Sequence, residues 1–291
     1  MDRKRVRLVG WLLILLSSLL VGSAFGGEAK ELRVCADPDN LPFSNQKLEG
    51  FENKIAELVA KELGATLTYY WWPHQRGLIR NTLRAGRCDV LISIPEGWDP
   101  VLWTKPYYRS GYVIVYPKAR GFQIKSLDDP ILRQLRIGVH INTPPHEALA
   151  QRGVIGKNVI GYPLFYDSRF HPEEYTGKPI QNLIAGEIDV AIVWGPVAGY
   201  SVKKLNASDL EVMPLQGGDA GTPFTFNFSM GVREGNKALK ALLEEVLSKR
   251  EPEIRKILED YGVPLLALGT REEFPPVKER PGEIIYHREG P

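Results

Sequence analysis

One eight-residue pattern occurs twice in this chain, one hundred positions apart, and it constrains the fold more than any other feature. Leu83-Arg84-Ala85-Gly86-Arg87-Cys88-Asp89-Val90 is answered by Leu183-Ile184-Ala185-Gly186-Glu187-Ile188-Asp189-Val190. Each copy reads as a helix end, a glycine turn and the start of a buried strand. The surroundings repeat as well. Before the first copy come a strand at 32–36, a helix at 51–63 with apolar residues at 51, 55, 58, 59 and 63, a strand at 66–72 and a helix at 78–85. The strand 89–94 follows, and another at 112–116. Around the second copy lie a strand at 135–139, a helix at 145–152, a strand at 159–162, a helix over 180–185 and the strand 189–193. Alternating strands and helices predict parallel sheets covered on both faces, an α/β fold wound twice. A strand at 226–232 and two patterned helices, 236–247 and 251–261, complete the pattern, and the 291 residues suffice for two domains of ordinary size.

The N-terminus is set apart from this pattern. Arg3, Lys4, Arg5 and Arg7 precede an apolar run from Leu8 to Val21, and Ala24 and Gly26 suit cleavage after Gly26. Residues 1–26 thus read as a secretory signal peptide. The apolar run is about 14 residues, short of the roughly 20 that span a bilayer, so no membrane anchor is expected. No cysteine lies near the cleavage site for lipid attachment. The whole chain has 37 basic and 35 acidic residues, and without the leader 33 stand against 34. A near-neutral exported protein gives no reason to expect nucleic acid or an anionic membrane as partner. Residues 269–291 are charged and proline-bearing and read as a tail.

The only two cysteines are Cys35 and Cys88. An even count in an oxidising compartment permits one disulfide. The strand register argues the other way: Cys35 near the end of one strand and Cys88 at the start of its parallel neighbour would lie beyond the ~7 Å that a disulfide tolerates. A bond and two buried thiols both stay open.

Several segments carry a resemblance. LRVCADPDNLPFS, the GFE that opens the first helix, LRAGRCDVLI, TKPYY and MGVREGNKALKALLEEVL resemble the bacterial family 3 extracellular solute-binding proteins, receptors of the type II periplasmic fold. The resemblance implies two doubly wound lobes joined by a two-crossover hinge: lobe 1 at 31–112 plus 228–268, lobe 2 at 113–227. CADPDNLPFSN, GFENKIAELVA, WWPHQRGLIRNTLRAGRCDV, NTPPHEALAQRG and DVAIVWGPVAGY are similar, more narrowly, to the binding proteins encoded with periplasmic quinoprotein methanol dehydrogenases, the MxaJ/XoxJ group. That likeness implies a periplasmic protein of methanol metabolism, with the dehydrogenase as partner and its cofactor pyrroloquinoline quinone (PQQ) as a candidate ligand.

Amino-acid receptors of this fold hold the ligand carboxylate with an arginine after the third strand, because planar guanidinium donors match two carboxylate oxygens. Here that segment, residues 95–103, has no arginine, and the acidic residue expected at the end of the second Asp-Val strand is Trp194. A free amino acid is therefore not the expected ligand. In open α/β sheets ligands sit beyond the carboxyl ends of the strands. Those positions offer Asp37, Asn40, Phe43 and Ser44, then Trp71, Trp72 and Arg76, then Glu96 and Trp98, and in the second lobe His140, Asn142, Thr143 and Trp194. Such walls suit a flat, conjugated ligand, with Arg76 as anion partner, or equally lobe packing and a protein interface. Asp89 and Asp189 start strands at the opposite edge and read as turn and helix contacts.

Catalytic patterns are thin. The five histidines show no metal-ligand spacing, no GxSxG or dinucleotide motif occurs, and neither cysteine has a neighbouring histidine. Asp37-Pro38-Asp39-Asn40 resembles part of a calcium loop but lacks its glycine and closing glutamate, so an Asx turn fits better. The expectation is a binding protein, not an enzyme, with no metal and no covalent cofactor. The alternatives are a receptor that delivers a small non-amino-acid solute to an ABC transporter and, more remotely, a dehydratase-type enzyme using Arg76 and Glu96.

Overall fold

The computed structural model describes residues 30–75, 77–97, 101–164, 170, 175–219 and 222–269. The leader 1–26, Arg76, Trp98 and the tail beyond 269 lie outside the described residues. The first half comprises β1 (Glu31–Ala36), a small hairpin of β2 (Asp39–Asn40) and β3 (Ser44–Asn45), α1 (Phe51–Leu63), β4 (Thr66–Trp71), the short α2 (Leu78–Asn81) and β5 (Val90–Pro95). Next come β6 (Leu102–Trp103) and the long β7 (Tyr108–Pro117). The second half has β8 (Ile137–His140), α3 (Pro144–Gln151), β9 (Val159–Tyr162), α4 (Lys178–Ile184), β10 (Val190–Trp194), α5 (Gly195–Lys204) and β11 (Leu210–Pro214). A hairpin of β12 (Gly218–Asp219) and β13 (Thr222–Pro223) leads to β14 (Thr225–Val232), α6 (Lys237–Lys249) and α7 (Glu251–Asp260). The helix expected over 78–85 is shorter than its pattern, because Thr82 leaves helical dihedrals and its Oγ1 donates to the Leu78 carbonyl at 2.7 Å. Helix α5 and strand β11 had no counterpart in the sequence reading.

The strands join in the order β4-β1-β5-β14-β7-β10-β8-β9, with β11 also on β7 and β6 on β14. In both halves the strand that begins the unit lies between its two parallel neighbours, β1 between β4 and β5, and β8 between β9 and β10. Two long strands join the halves. β7 pairs antiparallel with β14 through Tyr108–Gly111, then from Tyr112 onward with β10 and β11. β14 changes partner the other way, pairing with β5 from Phe228 onward, with a bulge between Ser229 and Gly231.

The apolar stripe of α1 explains its place: Phe51, Ile55 and Val59 are fully buried against the first half of the sheet. Each such side chain contributes roughly 1.5–3 kcal/mol relative to exposure. Leu243 and Val246 of α6 and Ile254 and Leu258 of α7 join the same core.

Asp89 and Asp189 do more than turn the chain. Asp89 accepts both the Nε and Nη2 of Arg33, at 2.9 and 2.6 Å, while Arg33 Nη1 donates to the Gly86 carbonyl at 3.0 Å. Asp189 takes the Nε and Nη2 of Arg136, at 3.1 and 2.9 Å, and Arg136 Nη1 reaches the Glu187 carbonyl at 2.8 Å. Asp89 thus clasps an arginine of β1 and Asp189 the arginine just before β8, where turn and helix contacts were expected.

Cys35 and Cys88 are joined as a disulfide with their Cα atoms 5.4 Å apart. The register argument against the bond fails because Cys88 is not in a strand. Cys35 sits opposite Leu91, and β5 begins only at Val90, so the turn before it is free to bring Cys88 over β1. The second half fills the matching place differently. Gly138, two residues beyond Arg136 as Cys35 is beyond Arg33, lies under Ile188, and a Cβ added there would come within 2.5 Å of Ile188 Cδ1.

After α7 the chain runs back across the joining strands. Ser110 Oγ donates to the Pro264 carbonyl at 2.8 Å, Leu266 N–H donates to the Arg109 carbonyl at 2.9 Å, and the Asn227 amide exchanges two hydrogen bonds with Gly269. This strap also meets α5 backbone to backbone, where a Cβ on Gly199 would stand 1.8 Å from the Gly262 carbonyl oxygen. Lys203 Nζ donates to the carbonyls of Glu259 and Asp260, both at 2.9 Å, and so satisfies the C-terminal end of α7.

Candidate functional site at the strand ends

The carboxyl ends of β1, β4 and β5 and the first turn of α1 converge in the first half. Asp37, just beyond β1, accepts the Asp39 N–H at 2.8 Å, which is the Asx turn read from the sequence, and its other oxygen accepts the His74 N–H. Ser44 Oγ bridges the Asp37 backbone, accepting from its N–H at 3.0 Å and donating to its carbonyl at 2.9 Å. Phe43 packs on Phe51 with ring centroids 5.1 Å apart, and Asn40 is buried in the β2–β3 hairpin. These side chains shape the loop more than they face a ligand.

Beside them stands a group that sequence reasoning missed. Glu52, in the first turn of α1, is half-buried near Ser93 at the end of β5, whose hydroxyl favours its charged form. Ser93 Oγ is 3.1 Å from Tyr107 Oη, which itself donates to the Ile92 carbonyl at 2.9 Å. Tyr108 is 3% exposed, its ring stacked on Phe228 at 4.7 Å. Burial lifts the Glu52 carboxyl from the ordinary 4.5 to about 8, with the Ser93 hydrogen bond opposing and the Asp37 charge adding to the rise. The available signal was an acidic residue opening the helix that follows the first strand, on the side where such sheets bind ligands.

The second half presents a different surface. His140 at the end of β8 and Trp194 at the end of β10 were both expected to line an open cleft, yet they are 0% and 8% exposed. The Trp194 N–H donates to His140 Nδ1 at 3.3 Å, and His140 Nε2 lies 3.3 Å from the Thr176 carbonyl. Burial pushes the His140 imidazole down to about 4, with the Thr176 contact opposing. The joining strands explain the correction: Trp194 packs on Tyr112, Phe226 and Phe228, at 4.9, 5.9 and 5.8 Å. Thr143 is buried with its hydroxyl donating to the His140 carbonyl at 2.6 Å, and Asn142 is exposed with a φ of 57°.

The remaining aromatics are also engaged by the fold. Trp71 stacks on Tyr69 at 4.7 Å along β4. Trp72 points to the opposite face, against the cluster around Cys35 and Cys88, with its indole N–H buried and without a partner among the described residues. Glu96 accepts the Asn227 amide at 2.8 Å. Arg76 and Trp98 fall outside the described residues. Among the described residues no three His, Cys, Asp or Glu side chains come together as a metal site would require. No helix of the described residues is long and apolar enough to cross a membrane.

Comparison with known proteins matches this geometry. The family model of the bacterial extracellular solute-binding proteins, family 3, covers residues 32–264. The chain is 31% identical to protein MoxJ of Methylorubrum extorquens over 254 residues, 84% of each chain. Among solved structures it is similar to the periplasmic binding protein XoxJ from Methylobacterium extorquens, with 40% identity, a TM-score of 0.67, and coverage of 81% of this chain and all of that one. MxaJ from Methlophaga aminisulfidivorans gives 28% identity and a TM-score of 0.69 over the same shares. An ancestral cationic amino-acid solute-binding protein, 22% identical with a TM-score of 0.63, shares the fold. Two doubly wound lobes joined by two crossover strands, with a match over most of its length, place this chain in the bacterial extracellular solute-binding proteins, family 3.

Proposed function

We propose that this protein is a periplasmic accessory binding protein of a quinoprotein methanol dehydrogenase system, exported by its leader, which engages the dehydrogenase and catalyses no reaction of its own. The likeness to MoxJ, XoxJ and MxaJ supports the association. The observation that carries the reading is the sealed second half: His140 and Trp194 bond to each other where a receptor would hold its solute. A ligand closes two lobes only through its greater affinity for the closed form, and a lobe without ligand groups adds nothing to that difference. A partner surface remains the better occupant. Lobe boundaries at 112/113 and 227/228 are supported by β7 and β14, which change partners at Tyr112 and Phe228.

PQQ carries carboxylates, and Asp37, Glu52 and Glu96 at the first-half strand ends are acidic, which favours the enzyme over the free quinone as partner. The acidic cluster at Glu52 favours one further reading, a receptor for a small non-amino-acid solute. A dehydratase role has less support, since Glu96 is paired with Asn227.

The test is calorimetry on the exported chain, titrating the purified dehydrogenase, PQQ and a panel of amino acids in turn. Saturable heat with the dehydrogenase or PQQ and none with amino acids is the expected result. Tight binding of an amino acid alone, or silence from both the enzyme and PQQ, overturns the proposal.

A further inference from the structure

Two halves joined by a pair of strands can swing only where nothing off those strands ties them together. Two ties are present here, in different places. The first runs along α5 of the second half. Gly195, Gly199 and Lys203 fall four residues apart and so share one face of that helix. A Cβ on Gly195 would stand 2.4 Å from the Gly111 carbonyl oxygen and 3.3 Å from Pro264 Cγ. One turn on, Gly199 meets Gly262, and a Cβ on Gly262 would in turn come within 2.6 Å of the Gly199 carbonyl oxygen. Glycine at both places is what lets the two backbones touch. One turn further, Lys203 Nζ holds the last carbonyls of α7. Beside it the ring of Tyr200 stacks on that of Tyr261, with centroids 6.0 Å and planes 16° apart. A second-half helix is thus seated on the end of a first-half helix.

The second tie crosses between the strand ends. Thr176 Oγ1 donates to the Leu41 carbonyl, in the loop between β2 and β3, at 3.0 Å. Thr176 is 5% exposed and is itself anchored. His140 Nδ1 accepts the Trp194 N–H, so the ring proton sits on Nε2 and is donated to the Thr176 carbonyl at 3.3 Å. The bond to Leu41 therefore ends on the packed terminus of β10. We propose that the α5–α7 seam and the Thr176–Leu41 bond lock the two halves in one arrangement, so that a partner meets a rigid body and not a closing cleft. Lys203 lies two turns, about 12 Å, along α5 from the joining strands. A swing of only about 15° moves it by as much as about 3 Å, enough to break both of its hydrogen bonds. The lock does not depend on which partner binds.

The test is double electron–electron resonance on the full exported chain, with spin labels on Lys61→Cys and Gln151→Cys, exposed on α1 and α3. One narrow distance is expected for the free chain, unchanged when the purified dehydrogenase or PQQ is added. Adding Thr176→Val, Tyr200→Ala and Lys203→Ala releases both ties, and a second distance, raised at least about tenfold in population, is expected. Should that variant fail to fold, Thr176→Val with Lys203→Met decides, since it removes the hydrogen bonds and keeps the side-chain bulk. Two distances in the unaltered free chain, a shift on adding a partner, or a single narrow distance that survives the releasing substitutions overturns the proposal. The free chain and its variants read the lock alone, so a dehydrogenase that fails to bind counts against the accessory role and not against the lock.

Discussion

The two halves of this molecule share a strand order, a helix-to-strand junction and an arginine–aspartate clasp, and differ in what occupies the places between. Where the first half ties β1 to the turn before β5 with Cys35–Cys88, the second sets Ile188 over Gly138. Where the first half ends its strands in Asp37 and Ser93, the second ends them in His140 and Trp194, both buried. One packing problem thus has a covalent and a steric answer. The strand ends diverge in chemistry, polar in the first half and aromatic in the second. In the second half the joining strands bring Tyr112, Phe226 and Phe228 against Trp194, which closes that strand end.

The largest expected effect separates the covalent half from the steric one. Removing the disulfide by Cys35→Ala with Cys88→Ala frees a loop with a sequence separation of 53, and about 4 kcal/mol of stability goes with it. Denaturant melts will report the loss, and hydrogen exchange will place it in β1 and β5 while β8 and β10 keep their protection. A uniform loss across both halves would break the distinction. The converse experiment transplants the bond. Gly138→Cys with Ile188→Cys should oxidise spontaneously, adding up to a few kcal/mol, as a thiol titration and a melt will show. Persistent free thiols would mean that the two positions do not correspond.

Smaller effects test the clasps. Asp89→Asn should cost about 1–2 kcal/mol, since Asp89 accepts charged hydrogen bonds in a partly buried place. Asp189→Asn should cost less, because Arg136 is more exposed than Arg33. Burial raises the Asp89 carboxyl, but the Arg33 hydrogen bonds outweigh it, and the Arg136 hydrogen bonds hold Asp189 low. Both carboxyls therefore titrate below the usual range. Their contribution is complete above about pH 4 and is lost as pH falls through their depressed values.

The effects of pH at the strand ends have opposite signs. Glu52 binds its proton more tightly folded than unfolded, so stability falls as pH rises from about 4.5 to about 8, and Glu52→Gln removes that slope. His140 resists protonation in the fold, so its contribution is lost as pH falls from about 6.5 to about 4. An NMR titration should find its imidazole neutral down to about pH 4. An ordinary histidine value would show that the second half is open after all.

Much of the fold was legible because it is local. The helix expected at 51–63 and the strand at 159–162 match residue for residue, since the apolar stripe and Gly64 stop of the one and the short β-branched run of the other lie within a few positions. α5 escaped notice because it opens on Gly195-Pro196, which reads as a turn, and mixes small and polar residues thereafter. The site was less legible. That strand ends lie together follows from the alternation, but the burial of Trp194 depends on Phe226 and Phe228, brought over by a strand more than thirty residues away. Glu52 stood within a motif that marked the family, and nothing local showed that burial would deprive it of a counter-ion.

The strap over the joining strands also sets a timetable. A chain is made from its N-terminus, so both halves are available before the segment that fastens them. The backbone contact of Gly199 with Gly262, and the bonds from Ser110 and Arg109 to Pro264 and Leu266, cannot form until the final stretch has been made. A chain cut short before that stretch would carry two nearly finished halves on an unfastened pivot. The latch is thus the last part of the molecule to close.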